Sequence, residues 1–115
     1  MFFEKKKWHK LADSPAEIAW QENAMCIIDV AGKKITLAKY NNAIYAVAHK
    51  CPHASGIMAD GSIDAIGNIV CPLHRYKFNL MNGRNSSGEG YFLKNYKTEL
   101  RPNGLFIEIS EKKLF

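Results

Sequence analysis

The segment Cys51-Pro52-His53-Ala54-Ser55-Gly56 sets a thiol and an imidazole two positions apart, and twenty residues after Cys51 the pairing returns as Cys71-Pro72-Leu73-His74. No other feature limits the fold as tightly. Four side chains of metal-binding type must reach one place if they act together. Both segments are too short and too proline-punctuated for helix, so they are expected at loop tips that neighbouring strands bring together.

Thiolate is a soft donor suited to iron–sulfur clusters and zinc, while imidazole suits zinc and iron, so the two-Cys, two-His set narrows the metal to those two. A structural zinc site usually pairs like ligands locally, two to four residues apart for Cys and three to five for His. Here each segment mixes one sulfur with one nitrogen, which is what a two-metal cluster needs if one iron takes both sulfurs and the other both nitrogens. A zinc-stabilised interaction module is the alternative.

Three cysteines among 115 residues are an odd number and do not suggest a disulfide framework. The remaining one, Cys26, lies inside the apolar run MCIIDV and reads as a core thiol. His9 and His49 read as packing or surface residues. The length is that of one domain. The basic residues behind the net charge of +5 are scattered apart from Lys5-Lys6-Lys7 and the pair Lys112-Lys113, with no aromatic-interleaved basic patch, so nucleic acid is not an expected partner. No apolar run approaches membrane-spanning length and the first residues show no signal-peptide core, so the expected location is cytoplasmic.

Short runs rich in β-branched and aromatic residues (MCIIDV, KITLAKY, AIYAVAH, NIVC, YKFNL, LFIEIS) alternate with turn signals at Asp13-Ser14-Pro15, Ala31-Gly32, Asn41-Asn42, Asn82-Gly83 and Asn103-Gly104. This is an all-β rhythm. A hairpin is expected from CIIDV through AGK into KITLAKY and on through Asn41-Asn42 to AIYAVAH. A second runs from KTEL through RPNG to LFIEIS, with Asn103-Gly104 suited to positive φ. The stretch from Ser14 to Asn23 reads either as a helical turn, capped by Ser14 with Pro15 first, or as irregular entry. Residues 85–93, NSSGEGYFL, read as a loop. One domain over 1–115 is therefore expected, an antiparallel β base of about 1–48 and 80–115 with a small inserted subdomain at about 49–79 carrying both ligand segments.

The pattern Cys51-x-His53-x17-Cys71-x2-His74, with Pro52 and Pro72 behind the cysteines and Gly56 closing the first loop, resembles the Rieske [2Fe–2S] signature. The likeness extends to RYKFNLMNGRN and the strand-dense flanks, about Trp8 to Ile109. It implies a Rieske-like fold and one [2Fe–2S] cluster per chain, with Cys51 and Cys71 on one iron and His53 and His74 on the other. Two thiolates balance the oxidised core, whereas four would leave it doubly negative, so histidine ligation raises the potential to roughly −150 to +300 mV.

Respiratory members of that family add two cysteines that form a disulfide beside the cluster, and a serine and a tyrosine whose hydroxyls donate to sulfur. Here Gly56 and Leu73 stand at the cysteine positions, Tyr76 at the serine position and Phe78 at the tyrosine position. Fewer donors to sulfur imply the low end of the range. Arg75 replaces a frequent glycine and reads as a solvated arginine or a cationic surface beside His74. SSGEGYF replaces a proline-rich shielding loop.

Rieske oxygenases follow the cluster with a mononuclear iron site needing two histidines, but none of the forty-one residues after His74 is histidine. The resemblance therefore implies an electron carrier without its own substrate site, a ferredoxin moving single electrons from a flavin-dependent reductase to a terminal oxygenase. The second reading is a small accessory subunit of a nitrite reductase-like enzyme.

Overall fold

The computed structural model describes residues 2–53, 55–86 and 90–114, and side chains from 5 to 110 within that range. Ten strands follow in order: β1 (Phe2–Ala12), β2 (Met25–Val30), β3 (Lys33–Tyr40), β4 (Ala43–Ala48), β5 (Ser62–Ile63), β6 (Asn68–Val70), β7 (Lys77–Asn79), β8 (Asn95–Tyr96), β9 (Thr98–Arg101) and β10 (Gly104–Leu114). They form three antiparallel sheets, ordered β1-β10-β9, β2-β3-β4-β8 and β5-β6-β7. No α-helix occurs among the described residues, and no helix there is long and apolar enough to cross a membrane.

The four-stranded sheet is buried on both faces. Successive residues of a strand point to opposite sides, and here the sides serve different cores. Cys26, Ile35, Leu37 and Ala46 pack with Ile107 and Ile109 of β10, while Met25, Ala38 and Val47 pack with Met58, Ile69, Phe78, Leu80, Cys51 and Cys71. That two-sided role explains why β3 reads Ile-Thr-Leu-Ala, buried at four consecutive positions, instead of alternating.

Both expected hairpins are present. Tight two-residue turns join β2 to β3 through Ala31 (φ 51°) and Gly32 (φ 76°), and β3 to β4 through Asn41 (φ 51°) and Asn42 (φ 63°). Positive φ at both central residues is the turn that matches the right-handed twist of the strands. In the β9–β10 turn, Arg101 pairs with Gly104, so Pro102 and Asn103 make the turn and Gly104 carries the positive φ (144°). Between β1 and β2 the chain makes only a 3-10 turn, Pro15–Glu17; Pro15 starts it, but Ser14 makes no side-chain cap.

The expectation for the amino-terminal residues needs extending. MFFEKKKWHKLA contains no β-branched residue, yet β1 pairs along nearly the whole of β10, from Phe2 opposite Leu114 to Ala12 opposite Leu105. Its strand character comes from the partner. The expected loop at 85–93 falls partly outside the described residues; within it, Arg84 and Phe92 form an antiparallel bridge, as do Phe78 and Asn85.

The third sheet is tied to the second by polar contacts. Tyr40 Oη donates to Ala65 O at 2.7 Å, and the side-chain amides of Gln21 and Asn23 donate to Ala59 O at 2.9 and 2.8 Å. Asp64 organises the β5–β6 turn, accepting from the backbone N–H groups of Ile66 and Asn68 and from the Asn68 amide, with Lys77 Nζ 3.8 Å away. Desolvation opposes ionisation of Asp64, but those donors and the ammonium outweigh it and hold the carboxyl below the usual carboxylate range.

Two outcomes follow. Ala31 sits in a left-handed conformation that costs alanine about 1–2 kcal/mol and that asparagine visits routinely, so Ala31→Asn is expected to raise stability by about 1 kcal/mol in urea unfolding. A depressed carboxyl stabilises the fold above the unfolded pKa of about 4 and loses that contribution as pH falls through the lower folded value. Asp64→Ala is therefore expected to cost about 1–2 kcal/mol at neutral pH, with the gap from the parent closing in acid unfolding midpoints.

Candidate metal centre

Each ligand segment is closed by the same hydrogen bond. The Cys51 N–H donates to Gly56 O at 2.8 Å and the Cys71 N–H donates to Tyr76 O at 2.8 Å, each reaching five residues ahead. Ser55 N donates back to Cys51 O at 3.0 Å, and Lys50 bridges to Ile57 below the loop. The first loop leaves β4, and the second joins β6 to β7. Two closed fingertips result, standing on sheets that share one core.

The backbone within them is sharply turned. Ser55 (φ 57°), His74 (φ 60°) and Arg75 (φ 56°) all occupy the left-handed region. A glycine would pay no Cβ penalty at position 75. Arg75 is exposed, in keeping with the solvated reading.

The four candidate ligands divide into two pairs. Cys51 and Cys71 are buried, at 2% and 0% exposure, and their thiols lie within hydrogen-bonding reach of each other. The Cys71 thiol is pushed up by burial and by Cys51, against a hydrogen bond from the Leu73 N–H. The Cys71 thiol so placed resists ionisation until a metal takes the proton's place. The imidazoles face outward: His74 is exposed, His53 half-buried, and their rings meet edge-on with centroids 5.3 Å apart.

His53 Nδ1 is buried without a hydrogen-bond partner, as are His9 Nε2 and His49 Nδ1; of the three, His53 is the one whose ring meets a second imidazole, at a fingertip where a metal would be a suitable partner. His9, on β1, and His49, just after β4, lie outside the two fingertips, and Cys26 is a buried core thiol whose ionisation burial disfavours. Among the described residues no three His, Cys, Asp or Glu side chains converge on one point. The arrangement is sulfur at one pole and nitrogen at the other.

Residues 7–92 match the Rieske [2Fe–2S] domain. The chain belongs to the Rieske family. A ferredoxin component of the naphthalene 1,2-dioxygenase system from Pseudomonas aeruginosa is 32% identical over 79 residues, covering 69% of this chain and 72% of that one. Against a Pseudomonas putida counterpart the match is 35% over 57 residues, 54% of its length. Among solved structures, the complex of oxygenase and ferredoxin in carbazole 1,9a-dioxygenase is similar with a TM-score of 0.72 at 20% identity, over 87% of this chain and 91% of that one. A putative NADH-dependent nitrite reductase small subunit from Mycobacterium tuberculosis gives 0.74 at 16% identity, over 93% and 96%. Likeness at those identities fixes the Rieske fold, which ferredoxin and small subunit share.

The cofactor of the family is a Rieske [2Fe–2S] cluster, and the donors present fit it: two buried thiols, two outward imidazoles and an orphaned buried ring nitrogen. A Rieske chain of this kind is an electron carrier. The positions read as disulfide sites in respiratory members also face each other, since a Cβ built on Gly56 would lie 3.4 Å from Leu73 Cβ.

Sequence reading missed the aromatic surroundings. His53 stacks on Tyr76 with centroids 4.2 Å apart and planes 20° off parallel, and Tyr91 leans on both rings at 5.2 and 5.9 Å. The aromatic residues at 76 and 91 were the only signal, and their convergence depends on the bridge at Phe92. Phe78 is a fully buried core residue.

A Cβ at Gly56 would also lie 2.8 Å from Cys71 Sγ. Gly56→Ala is therefore expected to leave the β-rich circular dichroism intact while lowering iron and acid-labile sulfide content several-fold in purified protein.

Proposed function

We propose that Cys51 and Cys71 bind one iron of the cluster and His53 and His74 the other, and that the chain passes single electrons from a flavin-dependent reductase to a terminal oxygenase. The observation that carries this reading is the division of the four donors into a buried thiol pair and an outward imidazole pair. When bound, the cluster supplies one reversible electron. The protein's residues decide where it can leave.

Burial of the sulfurs removes that pole from any partner, and exposure of His74 puts the nitrogen pole at the surface. Around it stand Leu73 (47% exposed), Tyr91 (40%) and the Arg75 guanidinium. Such a patch suits brief docking in which apolar contact provides fit and charge provides salt-dependent steering. The same reading treats 1–115 as one domain, with 49–79 as its cluster-binding part, which contains the whole β5-β6-β7 sheet.

The carrier reading includes the absence of a substrate site of its own, in keeping with the sequence likeness to ferredoxin components. It includes a cytoplasmic setting, supported by three unpaired cysteines. An accessory nitrite reductase-like subunit is the second reading, favoured by likeness of fold alone. The ferredoxin reading is preferred because that likeness is also one of sequence. A zinc-stabilised module is not favoured, because the donors form two poles.

Phe78 offers no hydroxyl to the cluster sulfurs, and the Tyr76 ring stacks on an imidazole. A redox titration is expected to give a midpoint toward the low end of the Rieske range, and in any case below about +100 mV. Anaerobic reconstitution with iron and sulfide should give a red-brown protein with a rhombic EPR signal after dithionite. His74→Ala should lose that signal while retaining its far-UV spectrum. A folded parent that takes up zinc and no acid-labile sulfide would refute the assignment.

A further inference from the structure

We propose that Tyr76 is the positioning residue of His53, holding the imidazole plane by stacking so that its buried Nδ1 is kept in one orientation. This rests on the Rieske reading above and adds to it how one ligand is kept in place.

The two imidazoles are secured by different means. His74 lies within the span closed by the Cys71 N–H to Tyr76 O hydrogen bond, where it and Arg75 both hold left-handed backbone (φ 60° and 56°). His53 is not among the positive-φ residues, and its buried Nδ1 has no hydrogen bond that would fix the ring. What meets its face is Tyr76, at 4.2 Å and 20°. An aromatic pair in this geometry contributes about 0.5–1.5 kcal/mol beyond its area.

Tyr76 is suited to this task by its place in the second loop. Its backbone oxygen accepts the Cys71 N–H, so the residue that closes the loop around one sulfur ligand also stacks on the nitrogen ligand of the other loop. The two fingertips are therefore coupled through a single residue. Tyr91 leans against both rings at 59° and 40°, limiting sideways escape of the pair without stacking on either. Loss of the Tyr76 ring should free His53 to turn about χ2 and carry Nδ1 out of line, with the backbone of both loops unchanged.

The test compares Tyr76→Phe, which keeps the ring, with Tyr76→Leu, which keeps bulk but not the stack. Protein carrying 15N-histidine is reduced and its nitrogen couplings read by pulsed EPR, and bleaching of the oxidised visible band under excess chelator is timed. Y76F is expected to retain both histidine couplings and the parent lifetime. Y76L should shift or broaden one coupling and bleach about two- to tenfold faster. Should Y76L not fold by circular dichroism, Y76M serves the same comparison.

Y76L indistinguishable from the parent overturns the proposal. Y76F as impaired as Y76L also overturns it, because the hydroxyl and not the stacked ring would then be responsible. A parent lacking the visible band and acid-labile sulfide would sink the Rieske reading itself, an outcome separate from either.

Discussion

The cysteine N–H bonded to the carbonyl five residues ahead is the constraint on which the rest of this structure depends. It is made twice, at Cys51 and at Cys71, and each time it folds a short segment into a rigid tip with its sulfur at the root and its imidazole nearer the surface. Pro52 and Pro72 reinforce it by fixing φ immediately after the cysteine. Once both loops are closed in the same sense, bringing their roots together also brings their tips together, and sulfur meets sulfur while nitrogen meets nitrogen.

What brings the roots together is ordinary packing. Cys51 and Cys71 belong to the same buried cluster as Met25, Val47, Met58, Ile69, Phe78 and Leu80, so the sulfur pole is an extension of the hydrophobic core. The opposite face of the same four-stranded sheet packs on β10. A sheet buried on both faces is hard to deform, which suits a carrier that should reorganise little when its charge changes. The polar ties from Gln21, Asn23 and Tyr40 hold the small third sheet against that base at its far side.

Burial and exposure then divide the chemistry. Burial pushes the Cys71 thiol up, while the surface position of His74 gives a partner access to the other pole. Tyr76 and Tyr91 both lie against the His53 ring. The two nitrogen donors, equivalent in the motif, are thus unequal in their surroundings.

The ligand pattern, the β rhythm and the tight turns were legible in the sequence because each rests on local chemistry: donor type and spacing, β-branched runs, and the tolerance of Asn and Gly for positive φ. Even Gly56 and Leu73, far apart in the chain, were marked by their places within the motif. The amino-terminal strand was not legible, because Lys5-Lys6-Lys7 carries no strand signal and pairs only where β10 offers an edge. Nor was the placement of Tyr76, which the motif marked only as a departure from a serine donor and whose ring stacks on His53 of the other loop. Nor could the sequence tell which imidazole would be sheltered and which left open. Those features are made by contacts between segments that no local rule relates, and only the packing of sheet on sheet decides them.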